Sequence, residues 1–363
     1  MEEGGNRSTR LGDLLEDWEA QGWSISESDR QEIQEHLHEP KSIAIRLVTG
    51  FGAFLTALLL MISITIFGGF NSTAAILTLG ILSTVVYMLY SAAPLVNREI
   101  ERPMQGDFLA PFMLTVGIMG QILITAGMLG ESQDWTLIYT GLAVEGILLA
   151  ISSDSLQKVI SSVLILLCLW GAIHLSQSFV LIHPLLGVTA VGMAYLWIHE
   201  ARLLSKYPSL AQVLQPVGLG LPLGMGLLLI LTVNRELYSE FIDQWAISTV
   251  CIGVALLYAV YRVMHYYKAV RWFWLVAIGL LAVLIPTIPA PGIAFSLLVI
   301  ALGFFRAHKV LLTLGLVSLV AFTIAFYYNM HLSLLWKSLA LFLAGLALLG
   351  LRWGIQRMFS SES

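Results

Sequence analysis

The sequence predicts an all-α, polytopic transmembrane helix bundle of about twelve spans, preceded by a short cytoplasmic helical hairpin. Of the 363 residues, 58% are hydrophobic and only 12% are charged, roughly half the charged fraction of an average soluble protein. The apolar residues form continuous runs of about 20, the length that crosses a bilayer core, and they do not alternate as β-barrel strands do. These features exclude a soluble enzyme and a disordered chain. The net charge of −4 offers no basic surface for nucleic acid.

The first predicted unit, residues 1–45, is an acidic cytoplasmic helical segment. It holds 11 of the 23 acidic residues in the chain. Leu11, Leu14 and Trp18 recur at the spacing of one helix face, and a second short helix ends before Pro40. We interpret the segment as a solvated pre-domain that folds against the membrane domain; a docking surface for a partner is the alternative. Its acidity argues against adsorption to anionic lipid.

The second predicted unit is a transmembrane domain over residues 46–353, followed by a short cytoplasmic tail, 354–363. Windows of the required apolar length give twelve spans, whose short connections favour antiparallel neighbours. The predicted spans are 46–67, 74–92, 108–129, 135–152, 158–176, 180–200, 210–233, 244–266, 271–287, 291–307, 309–329 and 333–352.

The distribution of basic residues gives the predicted orientation. With both termini in the cytoplasm, 17 of the 19 Lys and Arg residues lie in inner segments, and only Arg235 and Lys337 lie in outer loops. Inner segments of membrane proteins are enriched in Lys and Arg. A wrong span count would scramble this alternation, so the sequence predicts a multi-pass membrane protein with both termini in the cytoplasm.

Glu145 is the outstanding polar residue within the apolar runs. It lies about ten residues into the fourth span, which at 1.5 Å per residue places it near mid-bilayer, where a charged acid costs about 2.5–3.5 kcal/mol. Gln121 in the third span has a similar depth, and a Gln121–Glu145 hydrogen bond would satisfy both. The pair is a candidate intramembrane polar site. One reading is a proton- or cation-coupled site; the other is a neutral carboxylic acid that joins helices.

The seventh span contains an unusual run of prolines and glycines. Transporters use such interrupted helices to expose backbone to a substrate, so the run is a candidate broken helix. Close helix packing through Gly220-x-x-x-Gly224 is the alternative. The run is formed by Pro216, Gly218, Gly220, Pro222 and Gly224, with Gly226 beyond them.

No metal site, cofactor site or disulfide framework is predicted. The two cysteines, Cys168 and Cys251, lie far apart in apolar runs, where they read as inert core residues. His174, His183 and His331 fall near outer span ends, and we expect ordinary interfacial hydrogen bonding from them.

The last third of the chain carries a recognisable pattern of aromatic, proline, glycine and leucine residues. It comprises Trp272-Phe273-Trp274, Pro286, Pro289, Pro291, Gly303-Phe304, Leu311, Leu314-Gly315, Phe326-Tyr327-Tyr328-Asn329-Met330, Leu334-Leu335-Trp336-Lys337-Ser338, Gly345 and Arg352. This pattern resembles a family of multispanning proteins of the bacterial inner membrane, domain of unknown function number 4401. The N-terminal Trp18-x-x-x-Gly22-x-x-Ile25-Ser26 looks like the start of the related family number 2157.

This resemblance implies a protein of uncharacterised activity and assigns no catalytic residues. Such proteins are commonly encoded beside a membrane-anchored periplasmic protein with a Gly-Asp-Tyr-x-x-Leu-x-Tyr motif, which the resemblance implies as a partner. Tyr327, Tyr328 and Lys337 fall together near the outer face, and they form a candidate partner site. The alternative for Lys337 is a lysine that snorkels to the interface.

Two functions therefore stand as hypotheses. The first is a scaffold or partner subunit that works with an anchored periplasmic protein, and it is not an enzyme. The second is a proton- or cation-coupled secondary transporter that uses Glu145. An enzyme acting on lipid-linked substrates is disfavoured, because the outer loops are short and poor in His, Asp, Glu and Arg. No internal repeat supports a two-halved transporter.

Overall fold

The computed structural model describes residues 43–67, 72–96, 108–131, 135–207, 210–232 and 245–329, with the single residues 338, 342, 345, 346 and 349. These residues form eleven α-helices and no strand. The helices are α1 (Ile43–Phe67), α2 (Thr73–Val96), α3 (Leu109–Glu131), α4 (Trp135–Ile151), α5 (Ser155–Leu175), α6 (Ile182–Lys206), α7 (Ala211–Thr232), α8 (Trp245–Tyr266), α9 (Phe273–Leu284), α10 (Pro291–Phe305) and α11 (Lys309–Asn329).

The predicted all-α membrane fold is confirmed. Seven of the described helices are long and apolar enough to cross a membrane. Helices α4, α9 and α10 are shorter apolar helices, and α1 contains an apolar stretch over residues 48–64. The chain is a multi-pass integral membrane protein. Each of the first eleven predicted spans coincides with one helix. The twelfth, 333–352, lies outside the described residues apart from a few isolated positions, so the count of twelve stays a prediction.

The chain divides into two units. The first comprises residues up to 68 together with 102–116, and the second comprises residues 69–101 and 117–363. Within the first unit the described helices are α1 and the beginning of α3. The predicted acidic segment, 1–45, lies outside the described residues except for its last three, which begin α1. The predicted boundaries of the domains stay predictions.

The helix surfaces are apolar on the outside as well as on the inside. Val188, Trp274, Ile278 and Phe304 are each between 65% and 74% exposed. Large exposed apolar surfaces are rare on soluble monomers, whereas lipid requires them. The outward-facing residues of these helices are therefore the surface that contacts the acyl chains.

The core of the second unit lies between α6, α7, α8 and α10. Leu186, Met225, Ile252 and Leu298 are almost fully buried there, and Phe295 joins them at 0% exposure. The helices pack as neighbouring pairs, α4 with α5, α5 with α7, α6 with α8, α8 with α10 and α10 with α11. Consecutive helices joined by short turns account for the first and last of these pairs, because a short turn forces antiparallel contact.

One helix begins earlier than the sequence predicts. The fifth span was expected from residue 158, whereas α5 begins at Ser155. Lys158 is therefore a residue of the helix and not of the connection, and it is only 3% exposed. The helix extends because Asp154 precedes it with an extended backbone and accepts the first backbone hydrogen bond, from Lys158.

Candidate functional site

Helices α4 and α5 meet along a narrow seam whose register is set by two glycines. A Cβ atom on Gly141 would lie 2.9 Å from the Cys168 sulfur, and one on Gly171 would lie 2.8 Å from Cδ1 of Ile138. Only glycine permits this approach of the two helices. Because the helices are antiparallel, the same register brings Glu145 of α4 to the level of the second turn of α5.

Glu145 lies on the buried face of α4 and points at α5. Its side chain is 4% exposed, and its Oε2 atom has no hydrogen-bond partner. The Ser161 hydroxyl of α5 lies beside the carboxyl group. Cys168, two turns further along α5, is within electrostatic reach of the same carboxyl. A buried polar atom without a partner is exceptional in a folded protein, so this carboxyl is the clearest functional candidate among the described residues.

Gln157 extends the polar contacts by one turn along α5. Its Nε2 donates a hydrogen bond to Oγ of Ser161 across 3.2 Å. Both residues are 0% exposed, and the Oε1 atom of Gln157 has no hydrogen-bond partner. The buried face of α5 thus carries the Gln157 amide and, one turn closer to Glu145, the Ser161 hydroxyl.

Gln121 does not form the hydrogen bond predicted for it. Its side chain is 7% exposed, but neither its Oε1 nor its Nε2 has a hydrogen-bond partner, so it does not bond to Glu145. Equal depth was the basis of that prediction, and depth alone does not decide which helix faces meet. Gln121 and Glu145 remain a proposed intramembrane polar site as two separate buried groups.

The short connection between α4 and α5 is tied to α2 by a second polar cluster. Tyr87, which is 0% exposed, donates its hydroxyl to Oδ2 of Asp154 across 3.0 Å and lies 3.1 Å from Oγ of Ser152. The Ser91 hydroxyl lies 3.1 Å from the same Ser152 oxygen and accepts the backbone N–H of Ser153 across 2.9 Å. Asp154 itself is half-buried. The cluster fixes the end of the helix pair where Asp154 reaches the surface.

Lys158 ties the same end of α5 to α7. Its Nζ donates to the backbone oxygen of Gln212 across 3.0 Å, and Asp154 is near enough to influence it electrostatically. The carbonyl and the carboxylate together stabilise an ammonium group that is almost fully buried. Lys158 therefore stabilises the packing of α5 against α7, at the end of the α4–α5 seam that lies at Asp154.

A further charged cluster joins the ends of α6, α8 and α10. Arg306 forms an ion pair with Glu200, and Nη2 of Arg262 lies 3.2 Å from Nε2 of His199. Next to these contacts, Nε1 of Trp197 donates to the backbone oxygen of Gly218 across 2.9 Å. The two charged contacts lie toward the ends of α6, α8 and α10 that the basic-residue distribution assigns to the cytoplasm. The sequence predicted neither the ion pair nor the contact between Arg262 and His199.

The proline and glycine run of the seventh span forms part of an uninterrupted helix. Helix α7 continues through Pro216 and Pro222, so the structure shows no break at the candidate broken helix. A Cβ on Gly220 would lie 2.5 Å from Cβ of Ser162, and one on Gly224 would lie 2.7 Å from Cδ1 of Leu166. The close-packing alternative describes these two glycines, since they bring α7 against α5.

The candidate outer-face residues are only partly visible. Tyr328 is 77% exposed at the end of α11, and its ring meets that of Tyr327 edge-on with centroids 5.6 Å apart. Lys337, like His331, lies outside the described residues. Among the other histidines, Nδ1 of His183 lies 2.6 Å from the Ser248 hydroxyl. In the described part of the chain, no three His, Cys, Asp or Glu side chains gather as metal ligands do.

The sequence contains a signal that would have found Ser161. Residue 153 is the middle of the turn between α4 and α5, and in an antiparallel pair residues equally far from that middle lie side by side. Glu145 and Ser161 are each eight residues from Ser153. The same count across the preceding connection, between α3 and α4, also selects Gln121. The sequence therefore gives two candidate neighbours of Glu145, and the packing of the helices decides between them.

Comparison with known proteins decides the family. A family described as a domain of unknown function, DUF4401, matches residues 42–358 of the 363. The chain belongs to this family. This match confirms the predicted resemblance over residues 42–358. The likeness of the N-terminal segment to family 2157 stays a prediction. No curated protein and no solved structure shows significant similarity to the chain.

Proposed function

We propose that this DUF4401 protein is an ion-coupled membrane transporter in which Glu145 binds and releases a proton or a small monovalent cation. One observation carries the proposal: a carboxyl group near mid-span is 4% exposed and has an oxygen, Oε2, without a partner. Intramembrane acids are costly, and they typically mark ion pathways and proton relays. A carboxyl group that served only to join helices would have both oxygens satisfied.

The surroundings of Glu145 suit an exchangeable ion. The Ser161 hydroxyl can donate to a carboxylate or accept from a carboxylic acid, because a hydroxyl has one donor and two acceptor sites. The same oxygen atoms, with Oε1 of Gln157 one turn away, would suit an alkali cation. The Ser161 hydroxyl can therefore hydrogen-bond to Glu145 both when the carboxyl group holds an ion and when it does not.

Labelling with a hydrophobic carbodiimide tests the protonated state of Glu145. Dicyclohexylcarbodiimide reacts with carboxylic acids that are protonated in an apolar setting. We expect intact-protein mass spectrometry to show one adduct on the wild-type protein at neutral pH and none on Glu145→Gln. The matched control, Glu200→Gln, changes a carboxylate that is ion-paired, and it should label like wild type. Labelling of Glu145→Gln at the wild-type level would contradict the proposal.

The identity of the ion follows from protection and flux. If the ion is a cation, adding Na⁺, Li⁺ or K⁺ should slow the labelling; if it is a proton, only raising the pH should do so. In proteoliposomes that hold a pH-sensitive dye, wild type should admit protons faster than Glu145→Gln under an imposed potential. Equal proton flux in wild type and variant, together with labelling that no added cation slows, would leave Glu145 with a structural role only.

The orientation that we propose places both termini in the cytoplasm of a bacterial inner membrane. Its support is the distribution of Lys and Arg, together with the contacts at one end of the bundle. The clusters around Asp154, Lys158 and Arg306 all lie at helix ends that this orientation places inside.

A second candidate function is that of a subunit that binds a membrane-anchored periplasmic protein. The observation that favours it is the 77% exposure of Tyr328, a large amphipathic side chain at a helix end, since tyrosine is enriched at binding interfaces. We expect Tyr328→Ala to reduce co-purification of the anchored protein with the Gly-Asp-Tyr-x-x-Leu-x-Tyr motif. Tyr266→Ala, which removes a tyrosine that is 69% exposed on α8, is the control. Equal recovery with all three proteins would contradict this role.

A further inference from the structure

We propose that the ion reaches Glu145 from one side only, along the buried face of α5 through Gln157 and Ser161, with its mouth at Asp154. The inference deepens the proposed function and rests on it. It names the route and the side of access, neither of which follows from the presence of a buried acid alone.

The residues of the route lie in order along one helix face. Asp154, Gln157 and Ser161 are spaced by three and four residues, so their side chains project from the same side of α5. From Asp154 to Ser161 the helix rises roughly 10 Å. Exposure falls along this path from a half-buried Asp154 to 0% at Gln157 and Ser161. This row of three polar side chains thus extends from the surface to the depth of Glu145.

The two unpartnered oxygens on the route are the places where a mobile ion or a water would bind. Oε2 of Glu145 and Oε1 of Gln157 are both buried acceptors without partners. Between them, Oγ of Ser161 accepts from Nε2 of Gln157, which leaves the hydroxyl proton of Ser161 free to turn toward the carboxyl. Each unpartnered oxygen therefore lies next to a polar group that can transfer an ion to or from it.

Proton release along this route conserves the Ser161 hydroxyl. The Glu145 acid gives its proton to Oγ of Ser161, while the hydroxyl proton of Ser161 passes to a water held by Oε1 of Gln157. The net change is one proton moved from Glu145 to that water, which leaves a carboxylate behind. Asp154 then receives the proton or passes it to the aqueous phase.

The other half of the same seam is closed. Beyond Glu145 the facing residues are Ile138, Gly141, Cys168 and Gly171, and the two glycines are in contact with the side chains across from them. This stretch is apolar apart from the Cys168 thiol, and a single Cβ has no room there. Polar groups extend from Glu145 toward Asp154, whereas the opposite stretch is apolar and tightly packed, so the proposed access is from the Asp154 side.

The charged groups Asp154 and Lys158 lie at the mouth of the route. Asp154 accepts the Tyr87 hydroxyl, and Lys158 points to the backbone oxygen of Gln212 on α7. Near Glu145 the titratable neighbour on α5 is Cys168. The Asp154 carboxylate supplies a proton acceptor at the mouth, and the nearby Lys158 ammonium offsets its charge.

Cysteine accessibility tests the route and its side. In a Cys168→Ala, Cys251→Ala background, Ser161→Cys should react with a small hydrophilic thiol reagent added at the Asp154 face, in vesicles of known orientation. Ile138→Cys, in the dry half of the same seam, is the matched control and should stay unmodified. Failure of Ser161→Cys to react from the Asp154 face, or faster reaction of Ile138→Cys, would overturn the inference.

Hydrogen–deuterium exchange of the Glu145 carboxyl, followed by its infrared carbonyl band, separates the route from the function. We expect Ser161→Ala and Gln157→Leu to slow exchange by about tenfold, the change in rate that the loss of roughly one buried hydrogen bond produces. Ser162→Ala is the control, because the Ser162 hydroxyl donates to the backbone oxygen of Lys158 in its own helix. A carboxyl band that exchanges normally in Ser161→Ala and Gln157→Leu overturns the route alone. If Glu145→Gln removes no band, the proposed function fails as well.

Discussion

Replacing Gly220 by alanine is expected to destabilise the protein by about 2–3 kcal/mol, the cost of forcing extra volume into a packed core. The new Cβ would lie 2.5 Å from Cβ of Ser162 and 2.8 Å from the backbone oxygen of Val159. A backbone oxygen cannot rotate away, so α5 and α7 would have to separate. That movement would also weaken the contact of Lys158 with Gln212.

The same substitution at Gly192 is the control. Apart from the adjacent backbone of its own helix, no atom lies within 4 Å of a Cβ built there, and alanine favours a helix interior over glycine by up to about 1 kcal/mol. We expect Gly192→Ala to melt at or above the wild-type temperature in detergent and Gly220→Ala to melt several degrees below it. Equal melting temperatures for the two variants would show that the close approach of α5 and α7 does not constrain the fold.

Removing one partner of the Glu200–Arg306 ion pair should cost about 2–3 kcal/mol, because the other charge is left with little solvent. The Arg306 and Glu200 side chains are only 29% and 14% exposed. The burial of this ion pair is therefore intermediate between that of an exposed pair and that of a fully buried one. The pair joins the ends of α6 and α10. Either single alanine variant should therefore loosen that end of the bundle.

A double-mutant cycle measures the coupling between the two charges. The double variant should cost less than the sum of the single variants, by about 1–2 kcal/mol, since it leaves no charge unpaired. Arg202→Ala, on an exposed position of α6, should change stability by less than about 0.5 kcal/mol. Strict additivity of the two single effects would show that the ion pair contributes nothing to stability.

The helices of this protein could be predicted with few errors because the bilayer leaves little choice. A chain in lipid must satisfy its backbone hydrogen bonds internally, so every long apolar run becomes a helix. The first eleven predicted spans coincide with helices for this reason. The start of α5 was missed, because a lysine in the sequence reads as the edge of a span although Lys158 is buried against the Gln212 carbonyl.

The candidate site could be predicted only in part. Glu145 stands out in any sequence reading, since an acid within an apolar run is rare and costly. Its neighbour was not found: Gln121 was predicted and Ser161 lies there, although both have the depth of Glu145. Serine is frequent in transmembrane helices and attracts no notice. Gln157 was overlooked for a related reason, because it falls in a stretch that was assigned to a connection.

The sequence by itself determined that this chain lies in a membrane, where most of its helices run, and that one acid is buried among them. These properties depend on local composition and on the thickness of the bilayer, which act on each segment separately. Only the tertiary structure decided that α7 packs on α5 through Gly220, that Glu145 faces Ser161, and that Glu200 pairs with Arg306. Such contacts depend on the rotation of each helix about its axis, and that rotation is fixed by the combined packing of several helices far apart in the chain.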